Sequence, residues 1–363
     1  MIQSETTTRI SSVSLGVIAI IATGWFLRVA QPVLVPIVLG ALVAFLMDGV
    51  SRELERIPFY SRVIPKWLHM TMTTIVFFLI LMVGVGFFVR NLEPVVRAIP
   101  QYAESLSGTV SNIAARFDYE IELTWKSLDR VIFDNIDLQL VIRHTLNSVS
   151  YTIGYMVLVF LYAILFLIER NNISSKLAAI FPEPKVRKTV WHTVDLITNQ
   201  IGMYFTTKTM VNAVLGVICW FIFLLFGVEF AAFFAVLTAI FNYIPYVGSW
   251  IAMALPMLFA LGSFGFGIHT LVLFCLLSAA QFGVGSFWEP RLMGRSMNLS
   301  PVIVMVSLAV WTAIWGLIGA ILSVILTSAI MTILSFYRPT RPVAILLTNT
   351  GEIPSHQADV SEG

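Results

Sequence analysis

Long apolar runs, separated by short polar stretches rich in basic residues, dominate this chain. Runs close to membrane-spanning length occur at Ile10–Leu27, Pro32–Met47, Leu68–Val89, Tyr151–Ile168, Val211–Val228 and Ile268–Trp288. A helix needs about 20 apolar residues to cross a bilayer, so these runs predict membrane helices. Only Arg9, offset by Glu5, flanks the first run, and a second run follows at once. It therefore reads as a retained helix rather than a cleaved leader. Two further apolar stretches, Phe230–Leu261 and Pro301–Phe336, are too long for one crossing. Two crossings with a turn need about 40 residues or more. The pattern predicts an all-α polytopic membrane protein with about eight membrane segments.

The polar stretches fix an expected topology, because cytoplasmic loops carry an excess of Lys and Arg. The loop 51–67 carries Arg52, Arg56, Arg62 and Lys66, and the segment 169–209 carries Arg170, Lys176, Lys185, Arg187, Lys188 and Lys208. Arg291 and Arg295 follow the sixth run, and Arg338 and Arg341 open the tail. All fall on one side if both termini are cytoplasmic. The segment 90–150 then lies outside; it leans acidic and carries helical stripes such as Leu106, Val110, Ile113 and Phe117. The expected organisation is N-terminal membrane helices (1–89), a small extracytoplasmic helical segment (90–150), a membrane helix (151–168), a cytoplasmic amphipathic segment (169–209), a transport core (210–336) and a cytoplasmic tail (337–363). Val190, Val194, Ile197, Ile201 and Phe205 recur at helical spacing, which fits either a helix lying on the membrane surface or one packed under the bundle. The polar residues Glu352 to Gly363 read as disordered.

The centre of Phe230–Leu261 reads Asn242-Tyr243-Ile244-Pro245-Tyr246-Val247-Gly248-Ser249, without a charge. Pro245 and Gly248 break helices. Broken backbone survives at membrane depth only where protein or a water-filled cavity satisfies it, so this stretch predicts a re-entrant hairpin. Pro301–Phe336 has an uncharged centre at Trp311–Gly319 and predicts a second broken or re-entrant hairpin. In the expected topology the two enter from opposite sides. Val247-Gly248-Ser249-Trp250-Ile251-Ala252 also echoes Ile318-Gly319-Ala320-Ile321-Leu322-Ser323. A spanning helix followed by a broken hairpin, repeated in inverted orientation, is a transporter pattern.

Composition narrows the function classes. Over 363 residues, 58% are hydrophobic and 12% charged, against about a quarter charged in soluble domains; mean hydropathy is +0.88. A disordered chain, a coiled coil and an ordinary soluble enzyme are excluded. A net charge of +2 gives no basis for a nucleic-acid partner; the expected partners are membrane lipids and a small molecule. Cys219 and Cys275 lie in apolar runs and make no disulfide framework. The five histidines are scattered, no hydrolase or metalloprotease motif occurs, and no phosphate-binding Gly-x-x-x-x-Gly-Lys-Ser/Thr loop is present. The chain is not expected to be an enzyme or to hold a cofactor or metal.

Asn242-Tyr243-Ile244-Pro245 followed by Gly248-Ser249 resembles the core motif of the autoinducer-2 exporter family of bacterial inner-membrane proteins. So does Glu289-Pro290-Arg291-Leu292-Met293-Gly294-Arg295 followed by Leu299-Ser300, and the tail Val343-Ala344-Ile345-Leu346-Leu347 is also similar. The resemblance covers nearly the whole chain, the N-terminal third in layout alone. It implies a multi-pass homo-oligomeric transporter of the inner membrane, a pentamer being one arrangement it allows. The substrate it implies is the quorum-sensing signal autoinducer-2, with sodium/proton antiport as the alternative. Family members often carry prolines in the second hairpin where this chain has Ala320 and Ile325, which predicts a softer second break.

Candidate residues follow. Asn242, Tyr243, Pro245, Gly248, Ser249 and Gln281 are expected to contact substrate or line its path. Asn242 either binds a hydroxyl-rich ligand through its amide or satisfies backbone groups freed by Pro245. Tyr243 and Tyr246 flank the break as stacking or packing residues. Glu289, Arg291 and Arg295 form either a coupling and gating cluster or a structural salt bridge. Asn212 is a further intramembrane amide, and Glu229 sits in a tight outer turn within reach of the outer segment. The expected activity is secondary transport or facilitated export, by alternating access around the hairpins.

Overall fold

The computed structural model describes residues 2–55, 66–116, 138–293 and 298–351. Among them the chain is helical, apart from one isolated bridge between Leu299 and Thr348. The helices are α1 (Ile2–Val29), α2 (Gln31–Glu55), α3 (Lys66–Arg116), α4 (Leu138–Ile180), α5 (Pro184–Leu225), α6 (Ala231–Phe241), α7 (Val247–Phe264), α8 (Ile268–Phe282), α9 (Glu289–Met293), α10 (Pro301–Phe336) and α11 (Arg341–Leu347). A π-helical turn, Gly283–Trp288, joins α8 to α9. Among the described residues six stretches are long and apolar enough to cross a membrane, and the shorter Ser14–Val29 and Ala231–Phe241 are also apolar. Large apolar side chains such as Leu225, Ile268 and Trp250 stand exposed. That is unusual on a soluble monomer and fits a lipid surround. The protein is a polytopic all-α membrane protein.

Two of the expected polar segments continue membrane helices instead of forming separate pieces. α3 has 51 residues, about 76 Å at the helical rise, far beyond the roughly 30 Å hydrocarbon core. The start of the outer segment, through Arg116, is thus an extension of α3; residues 117–137 lie outside the described residues. α5 has 42 residues and carries the 190–205 stripe straight into the run from Val211. The stripe is the first half of a spanning helix, not a separate helix lying on the surface. Pro182 and Pro184, which cannot continue the α4 hydrogen-bond ladder, separate α4 from α5. The tail from Glu352 to Gly363 lies outside the described residues, as do loop residues 56–65.

The chain divides into two compact units. One comprises Met1–Ala44, Leu158–Thr198 and Met297–Gly363; the other comprises Phe45–Val157 and Asn199–Ser296. In the first, α11 returns to the start of α10, with Ser300 N donating to Leu347 O at 3.0 Å and Ala344 fully buried. Trp315 Nε1 donates to Leu27 O at 3.0 Å, tying α10 to α1. In the second, one face of α5 (Val211, Leu215, Cys219, Phe223) packs with Phe233 and Phe234 of α6, Phe259 of α7 and Leu273 and Leu277 of α8 into a continuous core.

Each unit contains one broken hairpin, and the two are built alike. In the first, α6 ends at Phe241 and α7 starts at Val247, with Tyr246 at φ 58°. Thr238 Oγ1 reaches Ala252 O at 3.4 Å across the arms. In the second, Gly316 at φ 62°, ψ −141° interrupts α10. Trp311 Nε1 donates to Thr327 Oγ1 at 3.1 Å across the sixteen positions that separate them. In a straight helix those residues would stand about 24 Å apart, so α10 folds back on itself. A Cβ on Gly248 would run into the Phe241 carbonyl, and one on Gly319 into the Trp311 carbonyl. The aligned glycines of the sequence echo therefore do the same job. The second break is not softer for lacking prolines, because left-handed Gly316 makes the turn. At 11 residues, α6 is about 16 Å long and cannot cross a bilayer.

Candidate functional site

The first break is held by side chains. Ser249 Oγ donates to Asn242 Oδ1 at 3.0 Å, and Asn242 Nδ2 donates to Asn212 Oδ1 of α5 at 2.7 Å. Asn242 thus anchors the hairpin to α5 through side chains, rather than capping the backbone freed by Pro245. The backbone at the apex closes locally instead, with Ile244 N on Phe241 O at 2.8 Å and Gly248 N on Ile244 O at 3.1 Å. Tyr243 makes the second anchor: its hydroxyl donates to Thr209 Oγ1 at 2.7 Å, and its ring lies 5.9 Å from that of Phe205. Tyr246, at the left-handed apex, is exposed. Pro245 sits between these anchors, where no amide hydrogen is required of it.

This network leaves a donor without a partner. Asn212 is 1% exposed and Asn242 5%. Each offers two amide hydrogens and one acceptor oxygen, and each oxygen accepts one bond. Asn212 Nδ2 is buried with no partner. An unsatisfied buried donor costs about 1–3 kcal/mol, so such an arrangement calls for an acceptor. Asn212, Thr209 and Tyr243 line a groove of about 360 Å³, otherwise walled by apolar side chains such as Trp220 and Ala239. The volume suits a small organic molecule.

One turn before Asn212 on α5, the Lys208 ammonium pairs with the Glu289 carboxylate at the start of α9. Lys208 is 6% exposed. The buried Tyr204, one turn further back, lies close enough to feel the Glu289 charge. The sequence grouped Glu289 with Arg291 and Arg295. The structure gives Glu289 to Lys208 instead, and Arg291 turns away to lie 5.9 Å over the Phe287 ring. Arg295 lies outside the described residues. Gln281 is half-buried on α8, before the π-helical turn.

Sequence reasoning missed Lys208 because it counted the residue as one of many topological positive charges. A usable signal was present: Tyr204, Lys208 and Asn212 stand four apart on the stripe that continues as Leu215, Cys219 and Phe223. Across the apolar length of α5 from this cluster, the Tyr102 hydroxyl of α3 donates to the Glu229 carboxylate in the turn before α6. The Tyr102 ring lies 4.5 Å from that of Phe259, so Glu229 does contact the outer segment. Among the described residues no group of three His, Cys, Asp or Glu side chains converges to hold a metal.

The model of the AI-2E family transporter matches residues 15–339. A Haemophilus influenzae protein provisionally named a transport protein is 29% identical over 92% of this chain and 95% of its own length. The AI-2 transport protein TqsA of Escherichia coli is 26% identical over 93% of this chain and 95% of its own. A sodium-lithium/proton antiporter of Halobacillus andaensis is 22% identical over 81% and 86%. With the family match running through both hairpins and the Lys208–Glu289 pair, the chain belongs to the AI-2E family of transporters.

Proposed function

We propose that this transporter moves a small, oxygen-rich polar organic molecule, that its substrate is autoinducer-2, and that it works as an exporter of the bacterial inner membrane. The observation that carries the reading is the donor-rich amide chain Ser249–Asn242–Asn212, ending in the unpartnered Asn212 Nδ2 at the broken hairpin. The group left without a partner is an N–H donor, which a bare cation cannot satisfy. A hydroxyl, ether or carbonyl oxygen supplies the acceptor that Asn212 lacks, and the adjoining apolar groove accepts the carbon skeleton. The name of the Escherichia coli relative supports the substrate. The basic segments read from the sequence support cytoplasmic termini, and the exposed apolar surface and the family resemblance support a homo-oligomer.

The test is uptake of labelled autoinducer-2 into proteoliposomes of the full chain, with and without imposed proton and sodium gradients. Saturable uptake that Asn242→Leu abolishes is expected. Saturable uptake left intact by that substitution moves the binding site elsewhere. A second reading, sodium/proton antiport, is favoured by the pairing of buried Lys208 with half-buried Glu289 and by the name of the Halobacillus andaensis relative. Gradient-driven sodium/proton exchange in vesicles that take up no autoinducer-2 selects it.

A further inference from the structure

The Lys208–Glu289 pair has no evident role in holding the core. The apolar face of α5 packs without it, and α9 is a five-residue helix with no buried residue of its own. A carboxylate and an ammonium taken out of water lose hydration that their attraction barely returns, so such a pair is poor evidence of a stabilising device. Buried ionisable groups within membrane segments are expensive and mark proton or ion pathways.

Its surroundings bear on what it does. From α5, Lys208 and Tyr204 face Glu289, with Tyr243 of the first hairpin behind Tyr204. On α9 itself the nearest charge is Arg291, held over Phe287. The π-helical turn Gly283–Trp288 leads directly into Glu289 and carries no ionisable side chain. π-helical insertions recur at functional sites; here Gly283 and Gly285 stand in open space while Val284 between them packs into the core. Lys208 lies four residues before Asn212 and next to Thr209, the two anchors of the hairpin. One turn of α5 therefore holds both the hairpin and α9.

We infer that Glu289 is the group that carries the coupling proton and that Lys208 is its counter-charge. In the paired state Glu289 is an anion held by the ammonium. A proton from water on one face of the membrane adds to the carboxylate and gives the neutral acid. Lys208 keeps its charge and loses its partner, and α9, joined to α8 through the π-helical turn, is released from α5. Deprotonation to the other face restores the pair. Since Asn212 and Lys208 share that turn, occupation of the hairpin and protonation of Glu289 each bias the other, and linkage makes the bias reciprocal. For its fluxes the inference rests on the transport reading above; for the titration of Glu289 it stands alone.

The titration is tested first, by infrared difference spectra of the full chain in lipid over about pH 4 to 9. The chain's 20 Asp and Glu residues all contribute to the protonated-carboxyl stretch; a component of it that grows as pH falls and is missing from Glu289→Gln is expected. Lys208→Met, which removes the counter-charge, should move that band to higher pH, and Lys208→Arg should leave it in place. No such band, or a midpoint indifferent to Lys208→Met, overturns the inference whatever the substrate. The flux test uses autoinducer-2 in proteoliposomes. Proton-gradient stimulation of uptake in the natural protein should be lost in Glu289→Gln, while autoinducer-2 exchange without a gradient persists. Uptake indifferent to the proton gradient in the natural protein overturns coupling and leaves the transporter reading intact. Absence of autoinducer-2 uptake in the natural protein removes that substrate alone, and the infrared titration then decides for or against Glu289.

Discussion

Two asparagines that bond to each other should not be equally costly to remove. Asn242 accepts from Ser249 and donates to Asn212, whereas Asn212 accepts one bond and leaves its amide hydrogens unpaired. Asn242→Leu breaks both bonds and strands the whole Asn212 amide, at 1% exposure, among apolar neighbours. An orphaned buried polar group costs about 1–3 kcal/mol, and a side-chain hydrogen bond between membrane helices contributes about 0.6 kcal/mol on average. The expected loss is about 2–3 kcal/mol. Asn212→Leu strands only one Asn242 donor and removes an existing orphan, so its expected cost is about 1 kcal/mol or less. The double variant leaves only half-buried Ser249 without its acceptor. It should be about as stable as Asn212→Leu, recovering most of the Asn242→Leu loss. Equilibrium unfolding of the purified chain in mixed micelles gives the four corners of the cycle. Additive single effects, or a larger loss for Asn212→Leu, refute the orphaned-donor reasoning. If the proposed substrate is correct, all three variants should also lose autoinducer-2 uptake, which separates the stability argument from the functional one.

The hairpin glycines make a sharper contrast. Gly248→Ala and Gly319→Ala each force a Cβ into a facing carbonyl, and each should reduce folded protein in size-exclusion profiles, while Gly283→Ala and Gly285→Ala, with open space around them, should not. Tyr246→Gly relieves a left-handed φ of 58° and should raise stability by about 1 kcal/mol, read as a higher unfolding midpoint. Tyr102→Phe removes the hydrogen bond to exposed Glu229 but keeps the contact with Phe259; it should cost less than about 1 kcal/mol, and a larger loss in the same unfolding assay would give that bond more weight than its exposure warrants.

The hairpins were legible because they violate a rule. An uncharged Pro-Gly break in a run of intermediate length has no place on an exposed loop of a protein whose loops are basic, so depth in the membrane is what remains. The echo between Val247–Ala252 and Ile318–Ser323 was faint as letters, yet it marks the point at which each returning arm passes over a carbonyl of the outgoing one. Only a residue without a Cβ fits there, so packing preserves the glycine while the neighbours drift. Proline was a poor guide to the second turn. Gly316 turns the chain by adopting a left-handed φ, and a lone glycine in an apolar run looks the same whether it turns or packs. The lengths of α3 and α5 were hidden for another reason: a helix leaving the bilayer changes its surface from apolar to polar without changing its hydrogen bonds, and a reading by hydropathy cuts it at that change.

The pairing of Lys208 with Glu289 was beyond sequence patterning, because each residue has a local explanation that suffices. A lysine just before an apolar run reads as a positive-inside anchor, and a glutamate beside two arginines reads as their partner. What decides between local and distant partners is burial, and burial follows from the stripe to which a residue belongs. Lys208 shares its stripe with Asn212 and with the buried Leu215, Cys219 and Phe223, so its ammonium is turned away from water and takes the anion that reaches it inside the unit. Arg291 lies next to Glu289 in sequence, but its guanidinium is exposed and loses little by resting on Phe287. The cation with the costlier alternative takes the carboxylate. The same reasoning applies at the other end of α5, about 25 Å along the helix from Lys208 to Leu225. There Glu229 stands exposed, can remain hydrated, and accepts only the single hydroxyl of Tyr102. One helix thus carries a charge pair with a buried lysine at one end of its apolar stretch and a solvated contact just beyond the other.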